Sequence, residues 1–230
     1  MNQAILPGDP PVTITLRVSR RARRLSLRVS ALDGRVTLTR PHGVGVQEAL
    51  DFAREREAWL RDHMARRPAE CRVGHHTDIP FRGQTLRIVP GQGRAPALAG
   101  TTLAVPGGPD RAGRRALSFL KAAARDRLAD ASDRYAAALG RSFAGIVLRD
   151  PRSRWGSCSA QGRLMYSWRL IMAPDTVLDY VAAHEVAHLA EMNHSPRFWA
   201  LVADIYGDCR APRAWLRHEG TALHRYRFAD

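Results

Sequence analysis

A chain of 230 residues and 25.6 kDa can bury one good core, or a core and a smaller lobe. With 45% hydrophobic and 25% charged residues it reads as a water-facing globular protein, and no apolar run approaches the roughly 20 residues that a membrane helix needs. A net charge of +14 admits polyanionic partners, but Lys121 is the one lysine, and so arginine-rich a sequence arises from codon bias as easily as from selection for phosphate contacts.

Residues 12 to 40 alternate apolar and polar positions (Val12, Ile14, Leu16, Val18; Leu25, Leu27, Val29; Val36, Leu38). This period of two, with Asp33-Gly34 as a turn, predicts a strand meander with a hairpin. Arg20, Arg21, Arg23 and Arg24 then form either a basic binding loop or a solvated hairpin end. Val46 to Arg67 predicts one amphipathic helix, and Phe81 to Val89 and Thr102 to Val105 predict two short strands. Pro106-Gly107-Gly108-Pro109 breaks the pattern, so a β-rich region over 1–108 is expected to precede a second domain over 109–230.

The second half predicts a long alanine-rich helix from Arg111 to Leu139, stopped by Gly140. Strands are expected at Ile146 to Leu148 and Leu164 to Ile171, then helices over Asp175 to Met192, Pro196 to Tyr206 and about Pro212 to His224. Cys71, Cys158 and Cys209 are odd in number and widely spaced, which argues against a disulfide framework. The first residues lack the basic and apolar segments of a signal peptide, so a cytoplasmic location is expected.

The chemistry concentrates in His184-Glu185-Val186-Ala187-His188, followed by His194. Residues four apart share a helix face, so His184 and His188 can offer two imidazoles to one metal ion, and Glu185 lies close enough to take a proton from an activated water. A straight helix cannot supply a third ligand of a tetrahedral ion in this way. His194 lies where Asn193 can end the helix in a left-handed turn and Ser195-Pro196 can cap the next one, which turns it back towards the metal. Glu191, on the same face as His188, is the rival ligand and reads as supporting. His75, His76, His218 and His224 read as surface histidines. Imidazole ligands in a tetrahedral set favour zinc, one per chain.

Several blocks carry a resemblance: Arg154-Trp155-Gly156-Ser157-Cys158-Ser159, Ser167-Trp168-Arg169-Leu170-Ile171, Asp179-Tyr180-Val181, the HExxH segment, Asn193-His194-Ser195 and Phe198-Trp199. Together they resemble the YgjP-like metallopeptidase family, which sits with the SprT-like zincins. The likeness is strongest over residues 146 to 220. It implies an α+β zincin fold, a small mixed sheet whose edge strand lies above the HExxH helix, with zinc on His184, His188 and His194 and Glu185 as general base. It places the edge strand near Leu164 to Leu170, where a peptide could pair as an added strand. The spacing also equals that of metzincins, but Glu191 replaces their glycine and no methionine follows His194 to make a Met-turn.

Other roles stay open. Arg154 could bind a carboxylate or stabilise an oxyanion, and Tyr206 could polarise a carbonyl or simply pack at the end of its helix. Cys158 could be a fourth ligand or a nucleophile, or its motif could be a turn that packs Trp155 over the sheet. The reading is a zinc metallopeptidase acting on peptide or protein, with two alternatives: a metal-dependent hydrolase of a substrate such as a nucleotide phosphate, or a zincin protease recruited to DNA through its basic surface.

Overall fold

A computed structural model describes residues 3–30, 34–65 and 69–228. The chain forms two compact units, 1–69 and 70–230, and the architecture is mixed α+β. No helix among the described residues is long and apolar enough to cross a membrane.

The first unit carries strands β1 (Gln3–Leu6), β2 (Val12–Ser19), β3 (Ser26–Val29) and β4 (Val36–Pro41), then helices α1 (Val46–Glu55) and α2 (Glu57–Ala65). The predicted strands form, but not as a meander. The order is β1-β2-β4-β3, with β2 and β4 parallel, so only β3 and β4 make the expected hairpin. Asp33 of the predicted turn, and the end of the predicted helix at Arg67, lie outside the described residues. The helix expected as one is two, broken at Arg56. Ile14, Leu38, Ala49, Ala53 and Leu60 share a buried core, so the helices cover one face of the sheet.

The boundary expected at 108/109 falls inside the second unit. Strands β5 (Cys71–Arg72), β6 (Asp78–Phe81), β7 (Gln84–Gly91), β8 (Ala97–Ala99) and β9 (Thr102–Pro106) precede helix α3 (Pro109–Leu139). Ile79, Leu86, Ile88, Leu103 and Val105 from these strands bury into the same core as Ala116, Leu120 and Leu128 of α3. The breaker at Pro106-Gly107-Gly108-Pro109 ends a strand and starts a helix: Pro109 sits in the first turn of α3, where its missing N–H costs nothing. Gly140 closes α3 in the left-handed conformation, as expected (φ 64°).

Strands β10 (Gly145–Arg149), β11 (Gly156–Cys158) and β12 (Arg163–Ser167) form a three-stranded sheet in the order β10-β12-β11. The strand expected at the edge, near 164–170, is therefore central. Leu164, Met165, Tyr166 and Ser167 are all buried, which is the pattern of a strand covered on both faces. Residues 168–172 turn in a short 3-10 helix instead of continuing the strand. The edge nearest the histidines belongs to β11.

Helix α4 (Asp175–Ala187) packs against α3, followed by α5 (Pro196–Tyr206), α6 (Arg210–His218), a 3-10 segment over 220–225 and β13 (Tyr226–Arg227). Arg127 and Arg134 of α3 both donate to Asp179 Oδ1 (3.4 and 3.1 Å), and Arg82 grips Asp175 at the start of α4. These charge-assisted bonds fix the rotation of the helix that bears the HExxH histidines. Arg169, 5% exposed, pairs with both oxygens of Asp150 (2.8 and 3.0 Å) and donates to the Leu223 and Tyr226 carbonyls, which ties the C-terminal segment to the sheet.

Candidate metal centre

Helix α4 ends at Ala187, five residues earlier than its periodicity suggests. The amides of Leu189 and Ala190 bond back to Val186 and Ala187, so the last turn tightens and the chain leaves the helix axis. Asn193 does not adopt the left-handed conformation expected of it, since His76 and Arg82 are the non-glycine residues with positive φ among those described. Its side chain makes the corner instead: Oδ1 accepts from the Ser195 amide (2.9 Å) and Nδ2 donates to Glu191 Oε1 (2.8 Å). Ser195 then caps α5 by accepting from the Phe198 amide (3.3 Å), with Pro196 in the first turn as predicted.

This corner brings His194 back over the helix. One ligand nitrogen from each of His184, His188 and His194 lies within 4.8 Å of the others, and His184 Nε2 stands 3.0 Å from His194 Nε2. Phe198, fully buried, lies beneath all three: its ring centroid is 4.9, 4.5 and 4.8 Å from those of His184, His188 and His194. Trp199 stacks on His194 at 5.8 Å. The two aromatic residues were legible in the sequence as a motif, but not as the floor of the site.

The protonation states suit a cation. His188 Nδ1 donates to the Glu191 carbonyl (2.9 Å), which fixes the tautomer and leaves the Nε2 lone pair free. Glu191 thus supports His188 through its backbone, and its carboxylate is occupied by Asn193. Burial, reinforced by the other two histidines, lowers the His184 pKa to about 3, and burial also lowers that of His188, so both stay neutral at pH 7. His184 Nδ1 is buried and has no hydrogen-bond partner among the described residues. Two imidazoles held neutral by burial, with the His194 ring brought against them, converge in a way that fits a divalent metal.

Glu185 is 5% exposed, and burial raises its pKa to about 8, with Arg154 pulling the other way. It lies against β11: a β-carbon built on Gly156 would fall 2.5 Å from Glu185 Oε1. Arg154, Gly156, Ser157, Cys158 and Met192 line one cleft of about 280 Å³ with the three histidines and Glu185.

Arg154 is therefore brought to the site, and Tyr206 is not. The Tyr206 hydroxyl donates to the Thr176 carbonyl (2.9 Å) and its ring packs on Tyr135 and Tyr180, as the packing alternative has it. Cys158 lines the cleft but stands apart from the histidine cluster, and burial raises its thiol pKa, which disfavours a nucleophilic thiolate. Trp155 packs against Gly220 and His224, anchoring the edge strand to the C-terminal segment. His75 meets the Val105 carbonyl (3.0 Å), and His224 is buried (8% exposed), so it is no surface histidine.

A family model for the YgjP-like metallopeptidase domain matches residues 23–219. The chain belongs to that family. It is a metallopeptidase, and the three-histidine cluster lies within the matched domain. The crystal structure of the metallopeptidase zymogen abylysin of Pyrococcus abyssi is similar at 20% identity and a TM-score of 0.36, over 40% of this chain and 95% of that one. No curated protein matches.

Proposed function

We propose that this protein hydrolyses peptide bonds with zinc held by His184, His188 and His194 and with Glu185 as general base, in a zincin arrangement whose edge strand is β11. The observation that carries the reading is the convergence of three imidazoles beside one buried carboxyl group in an open cleft. A structural zinc takes four protein ligands, whereas three with an adjacent acid leave a position for substrate. When bound, zinc would polarise the scissile carbonyl and draw the pKa of the attacking water towards about 7.

The chain's own groups supply the rest. Glu185, buried against β11 and facing the cleft, takes the proton from water and returns it to the leaving amine. The backbone of β11 pairs with β12 on one side, and its other edge offers N–H and C=O groups to an extended peptide. Arg154 lines the cleft with a positive charge, placed for a carbonyl oxygen that becomes anionic or for a substrate carboxylate.

The test is cleavage of casein and hydrolysis of nucleotide phosphates by the zinc-loaded protein and by Glu185→Gln. Casein cleavage that falls about 10³-fold or more in Glu185→Gln, with no phosphate release, supports the reading. Phosphate release that depends on Glu185, without peptide cleavage, contradicts it.

A further inference from the structure

The first unit holds a second feature that the peptidase reading does not use. Arg17, Arg20, Arg21, Arg23, Arg24 and Arg28 are all exposed, and none forms an ion pair among the described residues. Many arginines of the second unit, by contrast, are engaged with acids: Arg82, Arg127, Arg134, Arg169 and Arg210 all pair with aspartates. No Asp or Glu occurs between residues 12 and 30. The acids Glu48, Asp51, Glu55, Glu57 and Asp62 lie on α1 and α2, which cover the opposite face of the sheet. Arg54 and Arg61 on those helices pair with Asp51 and Glu57, so what sets the strand side apart is arginine without acids beside it, which codon usage alone does not explain.

The register orders that face. Thr15 pairs with Thr37, which pairs with Arg28, and Arg17 pairs with Thr39, which pairs with Ser26. Two parallel rows of hydroxyl and guanidinium groups thus run across β2, β4 and β3, while Leu16, Leu27 and Leu38 turn to the core. At about 4.8 Å between strands each row is about 10 Å wide, within the roughly 12 Å of a duplex major groove. The β2–β3 connection adds Arg20, Arg21, Arg23 and Arg24 at the end of these rows.

We propose that this sheet face and its arginine loop bind the phosphate backbone of a nucleic-acid duplex. Guanidinium and hydroxyl groups are the usual donors to phosphate oxygens and carry no sequence information by themselves. Residues 12 to 41 contain no Phe, Tyr or Trp, so the face lacks the stacking platform of a single-strand binder. This inference is independent of the peptidase reading and survives its failure.

The experiment measures binding of the full-length protein to a random-sequence DNA duplex, its single strand and anionic vesicles across a salt series. With four to six phosphate contacts, duplex affinity falls about a hundred- to a thousandfold between about 50 and 200 mM salt. Replacement of Arg20, Arg21, Arg23 and Arg24 by Glu weakens duplex binding at about 50 mM at least tenfold and flattens the salt slope by about 3 to 4. The same charge change at exposed Arg94, Arg111, Arg141 and Arg217 leaves the affinity within about threefold. If the loop variant fails to fold, Arg17→Gln with Arg28→Gln reads out the same face. Equal loss in both charge variants, tighter binding of the single strand, or retention by vesicles but not by duplex overturns the proposal.

Discussion

Gly156 and Glu185 are in such close apposition that a β-carbon on the glycine would fall 2.5 Å from the carboxylate oxygen and 2.6 Å from Cγ. The edge strand of the cleft and its buried acid are thus fitted to each other, and only a residue without a side chain allows it. Gly156→Ala forces one of them to move by about an ångström. Since misplacement of that size costs about 10²-fold, kcat on casein drops by that order while zinc content stays near one per chain. Steady-state kinetics beside metal analysis checks it. Unchanged kcat would show that the acid has room to spare.

Phe198 is the common neighbour of all three imidazoles. Phe198→Leu keeps an apolar floor but loses the flat ring against His188, so zinc affinity falls about 10- to 100-fold, in line with other changes to groups that orient metal ligands. Competition with a chelator reads the shift. Phe198→Ala also costs about 3–5 kcal/mol of stability through the cavity it leaves, measurable in a denaturant titration.

Tyr206 separates packing from catalysis. Its hydroxyl is bonded to the Thr176 carbonyl, so Tyr206→Phe leaves kcat within about twofold and removes about 1 kcal/mol of stability. A loss of kcat of about a hundredfold, with stability unchanged, would return this residue to the reaction.

His224 makes acid stability a local question. Burial lowers its pKa from 6.5 to about 4; Arg169, Arg152 and Arg227 add to the shift and Asp150 opposes it. Between those values the unfolded chain binds a proton that the folded one refuses, so stability falls as pH drops from 6.5 through 4. His224→Phe keeps the ring against Trp155 and removes this group from the titration. The wild type therefore loses about 2 kcal/mol more than the variant over that range, read as the difference between their unfolding free energies.

The sequence made the grouping of the three histidines legible because HExxH depends on helical spacing, and Ser195-Pro196 announced the next helix. It misplaced what depends on neighbours distant in the chain. The apolar run at Leu164 to Tyr166 marks a strand buried on both faces, which makes β12 central, and the edge fell to Gly156–Cys158, too short to show a period. The end of α4 was missed because Leu189 and Ala190 look helical, while the backbone there closes into a tighter turn. The breaker at 106–109 resembles a domain linker in composition, yet core contacts between β6–β9 and α3 join the two sides of it.

The central claim is that three histidines hold one catalytic metal. Its most direct test is metal content by mass spectrometry of the purified wild type, Glu185→Gln and His194→Ala. The account predicts about one zinc per chain in the wild type and in Glu185→Gln, and a large loss in His194→Ala. Full retention of metal in His194→Ala, or a wild type that takes up no zinc, would contradict it.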